Sequence, residues 1–166
     1  DSSLTFVPAD DLDALIAQAE EIGHFSRHSA DENIASLMQV AIYGVKGLCA
    51  YADHARVLGQ ADPAVEGFVY DAFAALADPS LSLDDWVALT LKTGETNLRA
   101  MELLDAANTG AYGHPVPTEV PLGHRPNKAI LVTGHDLHDL KELLEQTEGT
   151  GIDIYTHGEM LPAHGY

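Results

Sequence analysis

The chain has 166 residues and carries 26 acidic residues against 8 lysines and arginines, which gives a formal net charge of −18. That length fits one ordinary domain or two small ones, and an apolar content of 46% is enough to build a real core. A surface this acidic repels the phosphates of nucleic acids and anionic membranes, so we expect neither as a partner.

The sequence shows no pattern typical of membrane insertion or of export. The sequence contains no uninterrupted apolar run approaching the roughly 18 residues of a membrane span, and no basic segment followed by an apolar stretch indicates a secretory signal. The chain begins at Asp1 without a methionine, and a missing N-terminal portion would hide such a signal. The single cysteine, Cys49, excludes an internal disulfide and an iron–sulfur site made by this chain alone. We therefore expect a cytoplasmic protein in a reducing compartment.

The N-terminal third predicts two helices. A short amphipathic helix begins near Leu12 and ends at Gly23, and residues 24–30 form a polar connection. Asp31 then opens a long helix that Gly59 ends. Its apolar positions follow the 3.6-residue helical repeat; they are Ile34, Leu37, Met38, Ala41, Ile42, Val45, Leu48, Cys49, Ala52 and Ala55.

Three small residues in the long helix need an explanation. Gly44 and Gly47 each cost about 1 kcal/mol of helix propensity, and we expect them to admit a neighbouring helix at close range. Cys49 belongs to the apolar pattern and is interpreted as a small buried residue.

Two more helices follow. The pair Asp62-Pro63 has the cap-then-proline form of a helix start, and the apolar positions after it are Val65, Phe68, Val69, Ala72, Phe73 and Leu76. Ser82 and Asp85 resemble a capping box and open a helix that reaches about Asn108. Its apolar positions are Val87, Leu91, Gly94, Leu98, Met101 and Leu104. Short loops between these helices predict an antiparallel up-and-down bundle over residues 1–108.

The pattern changes after the bundle. Residues 109–127 contain four prolines and three glycines without a helical repeat, which indicates a domain boundary made by an ordered linker. From residue 128 the order is strand, helix, strand, which is typical of a parallel α/β sheet. The predicted fold class is α+α/β: a helical bundle, a linker, and over residues 128–166 the first β-α-β unit of a parallel, Rossmann-like sheet.

Polar residues follow both predicted strands. His135 comes one glycine after the strand at 129–133, and Glu159 follows the strand at 152–156. Ligands and metals usually lie at this edge of an open α/β sheet, and an imidazole with a carboxylate makes half of an iron site. On spacing alone, His135 is also an ordinary turn residue and Glu159 an ordinary solvated loop residue. Asp136 is expected to cap the helix between the strands.

Longer runs surround these residues and are spread over nearly the whole chain. They are Tyr43-Gly-Val-Lys-Gly47, Ala50-Tyr-Ala-Asp-His-Ala55, Ala106-Ala-Asn-Thr-Gly-Ala-Tyr-Gly-His-Pro115, Val120-Pro-Leu-Gly123, Gly134-His-Asp-Leu137, Glu145-Gln-Thr-Glu-Gly-Thr-Gly151 and His157-Gly-Glu-Met-Leu-Pro-Ala-His-Gly-Tyr166. These runs resemble the hybrid-cluster protein family, also called hydroxylamine reductases or prismane proteins.

The resemblance implies a function and roles for particular residues. His135 and Glu159 match a histidine and a glutamate that bind iron in the family's hybrid iron–sulfur–oxygen cluster. Asp136 or a backbone carbonyl would orient the His135 ring, and His157 and His164 are candidates to support Glu159. The activity implied is reduction of hydroxylamine to ammonia, or of nitric oxide and related species under nitrosative stress. Electrons would enter through a cubane iron–sulfur cluster from a donor whose identity stays open.

The chain departs from the family in its cysteines. The family has a cysteine cluster near the N-terminus for the cubane cluster and several later cysteines for the hybrid cluster, whereas this chain has Cys49 alone. We therefore expect an internal piece: the last helical bundle of a first domain and the opening strands of a second. By itself it is expected to retain neither cluster and to need the remainder of the polypeptide or a partner chain.

Other interpretations of the function stay open. A non-catalytic acidic helical module for binding or assembly is one alternative, and a relative of the nickel–iron carbon monoxide dehydrogenases is another. The run from Gly158 to Pro162 resembles the hybrid-cluster branch more closely. The sequence contains no dinucleotide fingerprint, P-loop or nucleophile elbow. The remaining histidines are interpreted as surface or packing residues: His24, His28, His54, His114, His124 and His138.

Overall fold

A computed structural model describes residues 7–22, 29 and 31–166. The predicted polar connection, with His24 and His28, lies outside these residues except for Ser29. The elements in chain order are α1 (Leu12–Ile22), α2 (Glu32–Val57), α3 (Pro63–Leu76), α4 (Leu83–Tyr112), β1 (Lys128–Thr133), α5 (Leu137–Thr147), β2 (Ile152–His157) and a 3₁₀ helix (Gly158–Gly165). Helices followed by a two-stranded parallel sheet agree with the predicted α+α/β class.

The helix starts form where the capping residues predicted them. Asp31 accepts the backbone N–H of Asn33 at 2.8 Å, and Asp62 accepts that of Ala64 at 2.9 Å. Arg99 also donates to Asp62 at 2.8 Å, and this hydrogen bond is the main reason that the pKa of Asp62 lies below its usual value.

The capping box at the start of α4 is also present. The Ser82 N–H donates to Asp85 at 2.9 Å, and the Asp85 N–H donates back to the Ser82 hydroxyl at 3.3 Å. The Ser82 hydroxyl donates to the Asp85 carboxylate as well, and this bond lowers the pKa of Asp85. Local side-chain chemistry therefore fixes where this helix begins.

The chain packs as two compact units. The first contains the described residues up to Leu48 together with Glu66–Asn97, and the second contains Cys49–Val65 and Leu98–Tyr166. In the first unit Met38, Ala41 and Trp86 form a buried cluster. The partly buried side chains around it are Ile34, Leu37, Ala75, Leu76, Leu81 and Leu89. The residues buried in the second unit are Ala55, Val65, Ala100, Leu103, Ala107 and Met160. Antiparallel packing of the helices and the 1–108 and 128–166 domain limits stay predictions.

The predicted apolar face of α4 is wrong. Leu91 is 70% exposed and Leu98 is 64% exposed. The residues buried on this helix are Trp86, Thr93, Thr96, Ala100, Leu103 and Ala107. Most of these precede a predicted position by one residue, which is about 100° around the helix. The buried threonine hydroxyls donate to carbonyls one turn earlier, both at 2.8 Å, so hydroxyls enter the interior without losing a partner.

Two other predicted core residues are also exposed. Cys49 is exposed rather than buried, because the adjacent Leu48 is 0% exposed and the next side chain points about 100° away. Phe73 on α3 is 57% exposed, whereas Phe68 on the same helix is 7% exposed. On α2 and α3, the apolar face predicted from the sequence is therefore wider than the face that is buried.

The two glycines of α2 have different environments. A Cβ atom added at Gly44 would meet Thr93 Cγ2 at 2.7 Å, which is closer than real Cβ atoms come to a neighbour. A Cβ atom at Gly47 would meet nothing within 4 Å. The prediction of a close helix approach is therefore confirmed at Gly44 and wrong at Gly47.

We expect Gly44→Ala and Gly47→Ala to change stability in opposite directions. At Gly44 the new methyl group overlaps a buried threonine whose rotamer is held by its own hydrogen bond, and overpacking of this kind costs about 1–3 kcal/mol. At Gly47 the gain in helix propensity should stabilise the chain by roughly 0.5–1 kcal/mol. Urea unfolding of the two variants measures the difference, and adding Thr93→Ala to Gly44→Ala should recover part of the loss. Equal effects at both positions would contradict the close approach.

Helix α2 also meets a criterion for membrane-spanning segments. It has 26 residues, and its most apolar window has a mean hydropathy of 1.3. Core helices of water-soluble proteins meet the same criterion, so length and composition are weak evidence here. Of that window, 28% is buried. The buried residues of α2 are Ala35, Met38, Ala41, Val45, Leu48 and Ala55. The absence of a membrane partner stays a prediction.

The segment between α4 and β1 is shorter than predicted. Helix α4 ends at Tyr112 instead of near Asn108, which leaves 113–127 as the irregular segment. Hydrogen bonds attach this segment to later elements. Val116 N–H donates to the Gly165 carbonyl at 2.8 Å, and Arg125 N–H donates to the Tyr155 hydroxyl at 2.8 Å.

Strands β1 and β2 form a parallel pair with α5 in the connection between them. The pairing runs from Lys128 with Ile152 to Thr133 with His157, without an offset at either end. The carboxyl ends of both strands therefore lie side by side. Continuation of this unit into a larger Rossmann-like sheet stays a prediction.

Candidate functional site

The in-register strands bring His135 and Glu159 together. Thr133 and His157 are the last paired residues, and each is followed by a glycine and then by one of the two predicted ligands. His135 Nε2 lies 3.0 Å from Glu159 Oε2. Their role as metal ligands stays a prediction, because proximity alone also describes an ordinary ion pair.

The glycines at the strand ends are required by the backbone. Gly134 has φ of +134° and Gly158 has φ of +53°, both in a region that residues with a Cβ atom rarely adopt. The first turn leads into α5 and the second leads into the 3₁₀ helix. Each predicted ligand therefore lies directly after a turn that depends on glycine.

Asp136 caps α5, as predicted. Its Oδ1 accepts the backbone N–H of His138 at 2.8 Å and that of Asp139 at 3.3 Å. Its Oδ2 lies 3.6 Å from Nε2 of His54 on α2. Among the described residues, the hydrogen-bond and ion-pair partners of this carboxylate are these amides and His54. That Asp136 or a backbone carbonyl orients the His135 ring stays a prediction.

Two donors of suitable chemistry are present at the strand ends. An imidazole nitrogen and a carboxylate oxygen are both common iron ligands, and the side chains of His135 and Glu159 are 51% and 69% exposed. In residues 7–22, 29 and 31–166, no cluster of three or more His, Cys, Asp or Glu side chains could hold a metal ion. The pair therefore fits part of an iron site, and the remaining ligands would have to come from elsewhere.

Comparison with known proteins identifies the family. Residues 5–166 match the family model described as the Prismane/CO dehydrogenase family. The chain belongs to this family.

Three relatives show how much of a prismane-family protein the chain covers. It is 64% identical to the hydroxylamine reductase of Solidesulfovibrio magneticus, over 98% of this chain and 30% of that protein. It is 59% identical to those of Syntrophobacter fumaroxidans and Methanocella arvoryzae, over 100% of this chain and 31% of each protein. The chain thus spans about 30% of the length of these relatives. The resemblance stated from the sequence motifs is confirmed at the family level.

Two further histidines near Glu159 contact threonines of the two strands. His164 Nε2 lies 2.6 Å from Thr156 Oγ1, a contact that ties the 3₁₀ helix to β2. His157 Nδ1 lies 3.5 Å from Thr133 Oγ1, at the last paired position of the strands. Both contacts restrain the segments that carry the predicted ligands, and a supporting role for these histidines stays a prediction.

A groove of about 270 Å³ opens beside His135 and Glu159 in the second unit. Its polar wall includes Tyr51, Asp105 and Asn108, and its other side chains are mostly apolar. Tyr51 lies in one of the motifs that carried the family resemblance, but its distance along the chain gave no sign that it would line this groove. A larger groove of about 980 Å³ involves β2 and residues 119–125, and neither predicted ligand lines it.

One tyrosine near the start of α5 has an altered pKa. Burial raises the pKa of Tyr112, the last residue of α4, and the positive charge of Lys141 partly opposes the increase. The negative charge of Asp136 adds to the increase. Tyr112 therefore lies in the electrostatic surroundings of the α5 cap.

Proposed function

We propose that this chain is part of a longer hybrid-cluster oxidoreductase, called the full-length protein below. In it, His135 and Glu159 supply two ligands to an iron–sulfur–oxygen cluster, and the reaction is reduction of hydroxylamine to ammonia. Nitric oxide and related reactive nitrogen species are the alternative substrates. The observation that carries the proposal is the 3.0 Å approach of His135 Nε2 to Glu159 Oε2 at the carboxyl ends of two parallel strands.

The two side chains suit the task chemically. When bound, the cluster would supply electrons and an iron position for the substrate. His135 would coordinate a metal through an Nε2 that carries no hydrogen, so the ring hydrogen would have to lie on Nδ1 for both Nε2 and Oε2 to serve as ligands.

Glu159 has the freedom that a replaceable ligand requires. Its side chain is 69% exposed, and it follows the glycine turn at Gly158. A carboxylate that can bind, shift or release would open a coordination position for a small nitrogen compound. The adjoining groove of about 270 Å³ is large enough to admit such a substrate.

The remaining ligands and the electron supply are proposed to lie in the rest of the full-length protein. Thiolates suit the sulfide-rich part of such a cluster, and this chain offers only Cys49, which is exposed on α2. The relatives are about three times as long as this chain, which leaves room for those cysteines and for a cubane cluster. We infer a cytoplasmic location, with an electron donor that the sequence leaves open.

A carbon monoxide dehydrogenase-like activity is the second candidate, since the family description includes those enzymes. The names of the relatives support the first candidate, because several proteins 52–64% identical to this chain are called hydroxylamine reductases. The non-catalytic assembly module is kept as the outcome in which no iron is found.

Iron and acid-labile sulfide content, measured with intact mass on anaerobically prepared protein, tests the proposal. We expect iron and sulfide in a polypeptide well above 17.7 kDa, together with hydroxylamine-dependent oxidation of a reduced dye. Because the chain has nine histidines, adventitious nickel and zinc must be removed first. A natural gene product of 17.7 kDa without iron would contradict the enzyme and favour the assembly module.

A further inference from the structure

His54 contacts the loop that carries His135, although the sequence gave it only a surface or packing role. It lies in the last turn of α2, and its Nε2 is 3.6 Å from Asp136 Oδ2. The two side chains are 28% and 30% exposed, so both are largely shielded from solvent. A contact of this kind is screened less by salt than one between fully exposed groups.

The two oxygens of Asp136 have different partners. Oδ1 accepts the first free amides of α5, and Oδ2 faces His54. Asp136 therefore links the start of α5 to the end of α2. His135 lies between Gly134 and Asp136. Gly134 has φ of +134° and no side chain to restrain the turn, so the position of His135 depends on the residues next to the turn.

We propose that His54 is a positioning residue for His135, acting through Asp136. By holding Oδ2, His54 fixes the orientation of the capping carboxylate and the backbone that enters α5. This places the His135 ring where Nε2 meets Glu159. The inference rests on the proposed function, because positioning matters only if His135 binds the cluster.

His138 provides a matched control on the same helix. Its ring nitrogens lie 4.0 Å from Asp139 and 3.9 Å from Glu142, and both of these carboxylates belong to α5 itself. It has the same residue type and a similar exposure, at 39%, and within the described part of the chain its ion pairs join α5 to no other element. Its replacement should leave the position of His135 unchanged.

The test compares four variants of the full-length protein: His54→Phe, His54→Gln, His138→Phe and His135→Ala. The readouts are cluster iron per polypeptide and the electron paramagnetic resonance spectrum of the cluster, with thermal unfolding as a check on folding. We expect His54→Phe to reduce cluster occupancy under limiting iron about 10-fold, as for other groups that orient a metal ligand, and to shift the spectrum. His54→Gln keeps an N–H donor and should recover most of the signal, and His138→Phe should match the wild type.

Each outcome decides the inference. If His135→Ala alters the spectrum and a folded His54→Phe does not, the positioning role is wrong while the proposed function stands. If His135→Ala leaves the spectrum and iron content unchanged, the proposed function fails and the inference fails with it. Equal effects of His138→Phe and His54→Phe would also overturn it.

A second variant covers the case in which His54→Phe does not fold. Asn caps helices as well as Asp does, so Asp136→Asn keeps the cap and removes the charge that faces His54. A shifted spectrum and reduced cluster iron in folded Asp136→Asn support the positioning role. A wild-type spectrum and iron content in folded Asp136→Asn overturn it.

Discussion

Replacement of His135 or Glu159 by alanine in the full-length protein is expected to remove most of the hybrid-cluster iron and of the hydroxylamine reduction. Loss of a residue that merely orients a metal ligand lowers affinity about 10- to 100-fold, and loss of a ligand should cost at least as much. Iron and sulfide analysis with steady-state turnover measures both effects. Each replacement also removes the 3.0 Å contact between the two side chains and leaves its partner exposed to solvent, so the fold should be kept.

Two conservative variants distinguish the effect of the negative charge of Glu159 from the effect of its side-chain length. Glu159→Gln keeps the length of the side chain but weakens it as a ligand, and Glu159→Asp keeps the charge but shortens the reach. The matched controls are His114→Ala and Glu119→Ala, which change the same residue types at exposed positions in the segment before β1. An intact cluster and full activity in His135→Ala or Glu159→Ala would contradict the ligand assignment for that residue.

The second large effect is expected in the helical core. Phe68→Ala should destabilise the 166-residue chain by about 3–5 kcal/mol, because a side chain only 7% exposed leaves a cavity. Phe73→Ala, at a position on the same helix that is 57% exposed, should change stability by about 0.5 kcal/mol or less. Urea unfolding measures both changes in stability, provided that the slope of the free energy of unfolding against urea concentration is unchanged. A larger loss of stability in Phe73→Ala than in Phe68→Ala would mean that a different face of α3 is buried.

Periodicity found the helices but not all of their buried faces. On α4 the large aliphatic residues repeat at helical spacing, yet Leu91 and Leu98 are exposed while Thr93 and Ala100 are buried. Small side chains and hydrogen-bonded threonines permit close approach between helices, as Gly44 against Thr93 shows. Glycine and threonine do not count as apolar positions in a hydrophobicity pattern. The face predicted for α4 therefore lies about 100° around the helix from the face that is buried.

The candidate site was more predictable because its geometry is nearly local. Each ligand follows a strand and a single glycine, and parallel strands of one unit end at the same edge. The residues that line the adjoining groove were not predictable in this way. Tyr51 and Asn108 lie on helices far along the chain from both ligands, and no local pattern connects them to the strand ends.

The sequence by itself determined the helix starts, the β-α-β order, the glycine turns and the pairing of His135 with Glu159, because caps, turns and strand periods depend on neighbouring residues. The tertiary structure alone decided which face of α4 is buried, that Cys49 is exposed, and that His54 meets Asp136. These features depend on contacts between residues far apart in the chain. Such contacts are set by how closely whole helices approach, which is a property of shape that local composition does not encode.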